Sequence, residues 1–222
     1  DSVLVDAARG LAVLADGMGG YNAGEVASGM ATSYISRELG RWLDLAGAQA
    51  NAREVRRALE ICVDNANRAI FNVANVHPPY AGMGTTLVVA LFQGTRLLVG
   101  HIGDSRAYRL RAGKLEQITR DHSLLQEQLD AGLITLQQAA VSTQKNLVTR
   151  ALGVEDAVVL EVREHRVEPG DCYLLCSDGL SDMVPDEAIA SILTQACGLG
   201  ARALALIERA NAQGGRDNIS VL

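Results

Sequence analysis

Four aspartates stand where apolar runs give way to glycine-rich turns. Leu11–Ala15 ends in Asp16-Gly17, Val99–Ile102 in Gly103-Asp104, and Cys172–Cys176 in Ser177-Asp178-Gly179. Gly214-Gly215-Arg216-Asp217-Asn218 precedes a last apolar run. Carboxylates at strand ends are held rigidly and can converge on one sheet edge, while glycine lets backbone carbonyls and ligands approach closely. Hard oxygen donors of this kind suit Mg²⁺ or Mn²⁺. The lack of histidine or cysteine beside these carboxylates speaks against zinc. Two such ions about 3.5–4 Å apart could hold a hydroxide between them and clamp a phosphoryl group for in-line attack. No phospho-enzyme nucleophile is then needed. One Asp-Gly alone is ordinarily a turn; the weight lies in four aspartates at strand ends.

The elements that must position these groups fall into batches. Ser2–Val5 and Leu11–Ala15 predict a hairpin. An amphipathic helix is expected from Gly24 to Leu45 and another from Arg53 to Val76, ended by His77-Pro78-Pro79. Antiparallel strands follow over Thr85–Phe92, Arg96–Ile102, Ser105–Leu110 and Leu115–Thr119. Ser123–Ala131 and Leu136–Val141 predict short helices in a polar insert. Val158–Val167 and Cys172–Ser177 predict strands around the turn Glu168-Pro169-Gly170-Asp171. Asp186–Thr194 and Ala201–Gln213 predict helices, and Asn218–Leu222 a final strand. Batched strands and paired helices favour an α+β layered fold over a doubly wound parallel sheet.

Composition narrows the function classes. The 222 residues carry a net charge of −6, against the basic face of a nucleic-acid binder. No apolar run is long enough to span a bilayer as a helix. Cys62, Cys172, Cys176 and Cys197 form no Cys-x-x-Cys pair and are expected to be reduced, fitting a cytoplasmic address. The turn Gly17–Gly20 lacks the third spaced glycine of a dinucleotide loop, and no Gly-x-x-x-x-Gly-Lys-Ser/Thr loop is present. His77, His101, His122 and His165 are expected in packing or at the surface, because the inferred ions prefer oxygen. Arg106 is expected as an ordinary strand arginine rather than a phosphate ligand, and Met18 and Met83 as gap fillers beside the glycine turns rather than substrate contacts. The chain opens at Asp1 and ends on an apolar run, so both ends are expected to be trimmed inside strands.

Asp16-Gly17-Met18-Gly19-Gly20, followed by Gly24-Glu25 and Ala27-Ser28, resembles the Asp-Gly-x-Gly-Gly motif of the metal-dependent protein phosphatases of the 2C type. Gly82–Thr86 resembles that family's Gly-x-Thr-Thr strand start. Gly103–Arg106, Thr119–Ser123, Leu147–Gly153, Ser177–Leu180 and Asp217-Asn218 resemble further family motifs in the family's order, across nearly the whole chain. The resemblance implies an α-β-β-α sandwich of two mainly antiparallel sheets flanked by pairs of helices, with the metal site at one edge between the sheets. It implies one catalytic domain over residues 1–222. The implied activity is hydrolysis of phosphoserine and phosphothreonine in proteins by a hydroxide bridging two Mn²⁺ or Mg²⁺ ions, opposing a cognate Ser/Thr kinase.

By the same resemblance Asp16 bridges the two ions, the Gly17 carbonyl binds the second, and Asp178 and Asp217 complete the first ion's shell. Asp121, with Asp178, matches the position holding a third ion in the bacterial branch. Asp1 supports metal-bound water, while Asp104 and Asn218 are supporting residues. Eukaryotic members carry a histidine, a proposed general acid, where this chain has the bacterial branch's methionine, Met18. The family's phosphate-gripping arginine is expected upstream of Asp1. Residues 122–146, rich in Gln126, Glu127, Gln128, Gln137, Gln138 and Gln144, match a mobile flap that shapes substrate choice. No nucleic acid, no membrane segment and a monomeric state complete the expectation. Two other readings are weighed against it: a catalytically dead binding module of the same fold, and a phosphohydrolase of nucleotides or small phosphate esters.

Overall fold

The structure, a computed structural model, describes residues 1–20, 23–46, 50–140, 142 and 147–222. Strands β1 (Ser2–Asp6) and β2 (Leu11–Ala15) form the expected antiparallel hairpin. β3 (Gly17–Met18) pairs with β4 (Gly84–Thr85) in a separate two-stranded ribbon. β5 (Leu87–Gln93), β6 (Arg96–Ile102) and, later in the chain, β9 (Glu161–Arg166) complete a five-stranded sheet in the order β1-β2-β5-β6-β9. β7 (Arg106–Arg111), β8 (Lys114–Gln117) and β10 (Cys172–Cys176) form a three-stranded sheet in the order β10-β7-β8. Every ladder is antiparallel.

Helices α1 (Ala23–Ala46) and α2 (Ala52–Val76) cover one face of the larger sheet. Asn51 caps α2, accepting hydrogen bonds from the Arg53 and Glu54 N–H groups while the Glu54 side chain returns to the Asn51 N–H. Strand alternation sorts the core. Val13, Leu87, Val89, Leu91 and Leu98 pack under Ile35, Leu39, Leu59 and Ile70 of the helices. Leu14, Val88, Ala90, Leu97 and Val99, on the opposite face, meet Ala107 and Leu175 of the smaller sheet and Ile118 just beyond β8. That sheet's outer face, Tyr108, Leu110, Leu174 and Cys176, packs on Leu180, Ile189, Leu193, Leu206 and Ala210. These last residues come from three further helices. They are α5 (Asp178–Ser181), α6 (Asp186–Leu193) and α7 (Leu199–Ala212), which follow two short ones, α3 (Leu124–Asp130) and α4 (Leu136–Ala140). The order of layers is α-β-β-α, as expected.

Three expected elements differ in detail. Thr85–Phe92 is broken at Thr86, whose N–H leaves the ladder to donate to the Asp16 carbonyl at 2.8 Å. The strand expected over Val158–Val167 begins only at Glu161. Asn218–Leu222 makes a single bridge, Val221 to Cys176, flanked by Leu222–Leu175 and Ser220–Ser177 backbone bonds, rather than a full strand. Among the described residues no helix is long and apolar enough to cross a membrane.

Candidate metal centre

Asp16 lies at the end of β2, where the two-layer core opens. Its backbone is gripped from both sides. The Thr85 hydroxyl donates to the Asp16 carbonyl at 2.8 Å, and the Asp16 N–H donates to Thr86 Oγ1 at 3.0 Å. Thr86 Oγ1 is in turn 2.7 Å from the Ser105 hydroxyl oxygen. The two threonines thus fix the direction in which the carboxylate leaves the strand. Gly17 packs directly on Gly24: a Cβ at residue 17 would lie 1.9 Å from the Gly24 carbonyl oxygen, and one at residue 24 would lie 2.5 Å from the Gly17 carbonyl oxygen. The glycines of the Asp-Gly turn and of the first helical turn are therefore mutually required.

Asp178 follows β10 across the gap between the sheets. The Asp217-Asn218 segment is laid over it through Gly179, where a Cβ would lie 2.0 Å from the Asn218 carbonyl oxygen. The Ser177 hydroxyl donates to that same carbonyl at 3.1 Å and accepts from the Ser220 N–H at 3.0 Å. Asn218 thus packs against the turn after Asp178 through its backbone. Ser220 Oγ donates to the Asp1 carboxylate at 2.7 Å, which ties the start of β1 to the same segment.

The carboxylates at this edge repel one another. Burial, then the charges of Asp178, Asp217 and Asp104, push Asp16 up to about 8. Burial, then Asp178 and Asp121, push Asp104 up to about 7. Asp178 is raised by burial and by Asp182 and Asp217. Asp178 Oδ1 is buried and accepts no hydrogen bond. No arginine, lysine or histidine pairs with Asp16, Asp104 or Asp178 among the described residues. An orphaned carboxylate oxygen amid mutually raised carboxyls is what an oxygen-preferring divalent cation would satisfy, so the donor set fits one.

Asp121 is different. Its carboxylate accepts from Arg106 Nε at 3.0 Å and Nη2 at 2.6 Å, and from Gln117 Nε2 at 2.8 Å. Arg106, expected as an ordinary strand residue, is thereby the partner of a candidate site aspartate. A cleft of about 240 Å³ is lined by Asp104, Arg106, Asp121, Asp178 and Asp182 together with Leu125 and Leu136 of the insert. So α3 and α4 stand at the rim of the carboxylate edge. Residues 141 and 143–146 of the 122–146 segment, Gln144 among them, lie outside the described residues.

His101, His122 and Glu161 also bring ligating atoms within 4.8 Å of one another. Their donors are already engaged. His101 Nε2 is 2.7 Å from the Arg120 carbonyl, His122 Nδ1 accepts from the Gly103 N–H at 3.2 Å, and His122 Nε2 lies 3.3 Å from Glu161. The rings stack at 4.6 Å, and burial lowers both histidines, favouring the neutral forms. They brace the entry to the insert, in keeping with a packing role.

Asp182 was absent from the sequence expectations. Its signal was the spacing Asp178 to Asp182, four residues along a helical turn, which places both on one face. A cavity of about 840 Å³ between α1 and α2, beside Trp42 and Cys62, contains none of these carboxylates.

The sequence model of the family described as protein phosphatase 2C matches residues 1–204. The serine/threonine phosphatase stp of Listeria innocua is 38% identical over 212 residues, covering 96% of this chain and 82% of that protein. The crystal structure of the Mycobacterium tuberculosis serine/threonine phosphatase PstP/Ppp superposes with a TM-score of 0.87 at 41% identity, covering 99% of this chain and 88% of that one. The catalytic domain of serine threonine protein phosphatase PstP in complex with two manganese ions gives 0.85 at 39% identity, with the same coverage of each chain.

Proposed function

The chain belongs to the protein phosphatase 2C family, and from that premise we propose that it hydrolyses phosphoserine and phosphothreonine in proteins at the Asp16–Asp178–Asp217 edge. The single observation that carries the site is the orphaned, buried Asp178 Oδ1 among carboxyls raised by one another's charge. Asp16, the Gly17 carbonyl, Asp178 and Asp217 would hold two divalent ions, Mn²⁺ or Mg²⁺, in keeping with the two manganese ions of the related PstP domain. Bound there, such ions supply positive charge to the phosphoryl oxygens and make water a stronger nucleophile.

The chain's own residues do the rest. Thr85 and Thr86 aim the Asp16 carboxylate. Ser177 and Gly179 fix the segment that bears Asp217. Asp104 and Asp182 add negative charge beside Asp178, favouring retention of cations. Asp1, held by Ser220, supports the edge from β1. An ion at Asp121 would compete with Arg106 for the same oxygens, so a third ion there would be held weakly. No thiol serves as a nucleophile at this edge: Cys176, the nearest in sequence, is fully buried and its thiol is pushed up to about 12, chiefly by burial.

The reading includes one catalytic domain over residues 1–222, a cytoplasmic monomer and an opposing Ser/Thr kinase. The four cysteines, all free, support the reducing compartment. The test is phosphate release from a phosphothreonine peptide with Mn²⁺, with chelator, and by Asp178→Asn. Turnover should require metal and fall by about a thousandfold in the variant, the loss of a cation clamp on the transferring group. Metal binding without turnover of any phosphoester would leave a binding module instead.

A further inference from the structure

A groove of about 540 Å³ starts at Met18, two residues beyond Asp16, and runs along residues 148–159. Met18 Cε and Val154 Cγ2 both overhang Gly84, at 3.3 and 2.8 Å from where its Cβ would be. The groove is therefore continuous with the strand ribbon that carries Gly17, the residue after Asp16. Its far wall is built, not slack. Leu152 exchanges backbone hydrogen bonds with Thr85 at 2.8 and 3.0 Å, and Thr149 N–H donates to the His122 carbonyl at 2.8 Å. Asn67, fully buried on α2, accepts from the Gly153 N–H at 2.7 Å and donates to the Glu155 and Asp156 carbonyls. Gly153 sits at φ 83°, with Ile70 Cγ2 2.2 Å from its missing Cβ, so only glycine fits this bend.

This braced wall nevertheless presents apolar side chains to solvent: Val154 is 51% exposed and Val159 74%. Arg150 stands among them and forms no ion pair among the described residues. A rigid backbone that holds exposed valines and an unpaired cation next to a reaction centre has the makings of a recognition surface.

We propose that the groove lined by Met18, Arg150, Val154 and Val159 seats the substrate segment flanking the phosphoresidue, with apolar side chains on the valines and an acidic side chain against Arg150. This rests on the phosphatase reading above. Continuity with Asp16 through Met18 selects the substrate as the occupant. Glu155 lines the same wall, so the groove carries one charge of each sign, and reversing Arg150 makes it doubly acidic.

The test uses the whole chain loaded with Mn²⁺ and a scanning set of phosphothreonine peptides. Each peptide carries a single Asp or Lys, or a single Val or Asn, at one of the neighbouring positions, and an aryl phosphate serves as a flank-free reference. At one position Asp should be favoured over Lys by about threefold in kcat/KM, the size of an exposed ion pair. Arg150→Glu should invert that preference, a swing of about tenfold. Val159→Asn, at an exposed position that tolerates polarity, should erase the Val-over-Asn preference. Peptide rankings identical in all three proteins overturn the inference while leaving the phosphatase intact. Turnover of the aryl phosphate with no phosphopeptide hydrolysed overturns the protein-phosphatase reading itself. If Arg150→Glu fails to fold, an unchanged ranking in Val159→Asn is by itself sufficient to reject the groove.

Discussion

Strand β10 has an aspartate at each end, and the two have opposite fates. Asp171, just before it, lies in a fork with Arg111: Nε to Oδ1 and Nη2 to Oδ2, both at 2.7 Å. It also accepts from the Tyr173 hydroxyl and the Glu168 N–H. Arg111 holds its carboxyl well below the usual range. Asp178, just after the strand, has a buried oxygen with no partner and is raised by burial and by other carboxylates. Asp121 is likewise paired with an arginine, Arg106. One strand therefore separates an aspartate that the protein neutralises for its own architecture from one whose charge it leaves uncompensated. The unneutralised end is where an outside cation has something to gain.

The largest expected effect is on stability against pH. Asp16 and Asp104 have folded values near 8 and 7, above their ordinary 3.8. Between those limits the folded state binds more protons than the unfolded one, so these groups stabilise fully below about pH 4 and lose that contribution as pH rises through 7 to 8. Asp171, shifted the other way, is already fully ionised by pH 6 and adds no slope in this window. The chelated protein should lose ~3 kcal/mol, or about 10 °C of melting temperature, between pH 6 and 8.5. With Mn²⁺ most of that loss should vanish. Equal slopes with and without metal would remove the distinction between the two ends of β10.

Neutralising each end separately sharpens it. Asp178→Asn removes a like charge from the cluster, so the chelated variant should melt above the chelated wild type at pH 8 while losing turnover. Asp171→Asn takes the carboxylate from a side chain only 2% exposed and leaves Arg111 without its fork. Its melting temperature should fall by about 5 °C with kcat nearly unchanged. Calorimetry on the two variants checks the opposite signs, and the same sign in both would show that Asp178 is a structural ionic residue like Asp171.

Much of this was legible in the residues. The layers follow from batched strands and paired helices, and the candidate site is read from aspartates ending apolar runs at Asp16, Asp104 and Asp178. Asn67 was invisible because it sits on an otherwise apolar face of α2, where spacing reports burial but not which polar group anchors a distant loop. The Arg106–Asp121 fork joins residues 15 apart across a turn, and nothing in either local sequence selects its partner. The full strand expected over Asn218–Leu222 is reduced because Ser177 and Gly179 draw its first residues into a close backbone contact instead of a ladder.

Thr86 gives the smallest and most local test. Thr86 is 4% exposed and its hydroxyl links the Asp16 N–H to Ser105, so it belongs to the framework of the uncompensated edge without itself carrying charge. Thr86→Val keeps the volume near Gly103 but leaves a buried N–H and a buried hydroxyl short of a partner. That should cost about 1 kcal/mol, or about 3 °C. If the threonine's task is to aim Asp16, the loss should also appear as weaker retention of Mn²⁺, seen as a rightward shift in the metal concentration for half-maximal turnover, with kcat at saturating metal largely preserved. A stability loss with no shift in metal dependence would make Thr86 a plain core hydrogen bond, and the aim of Asp16 would then rest on the Thr85 hydroxyl and the glycine contact alone.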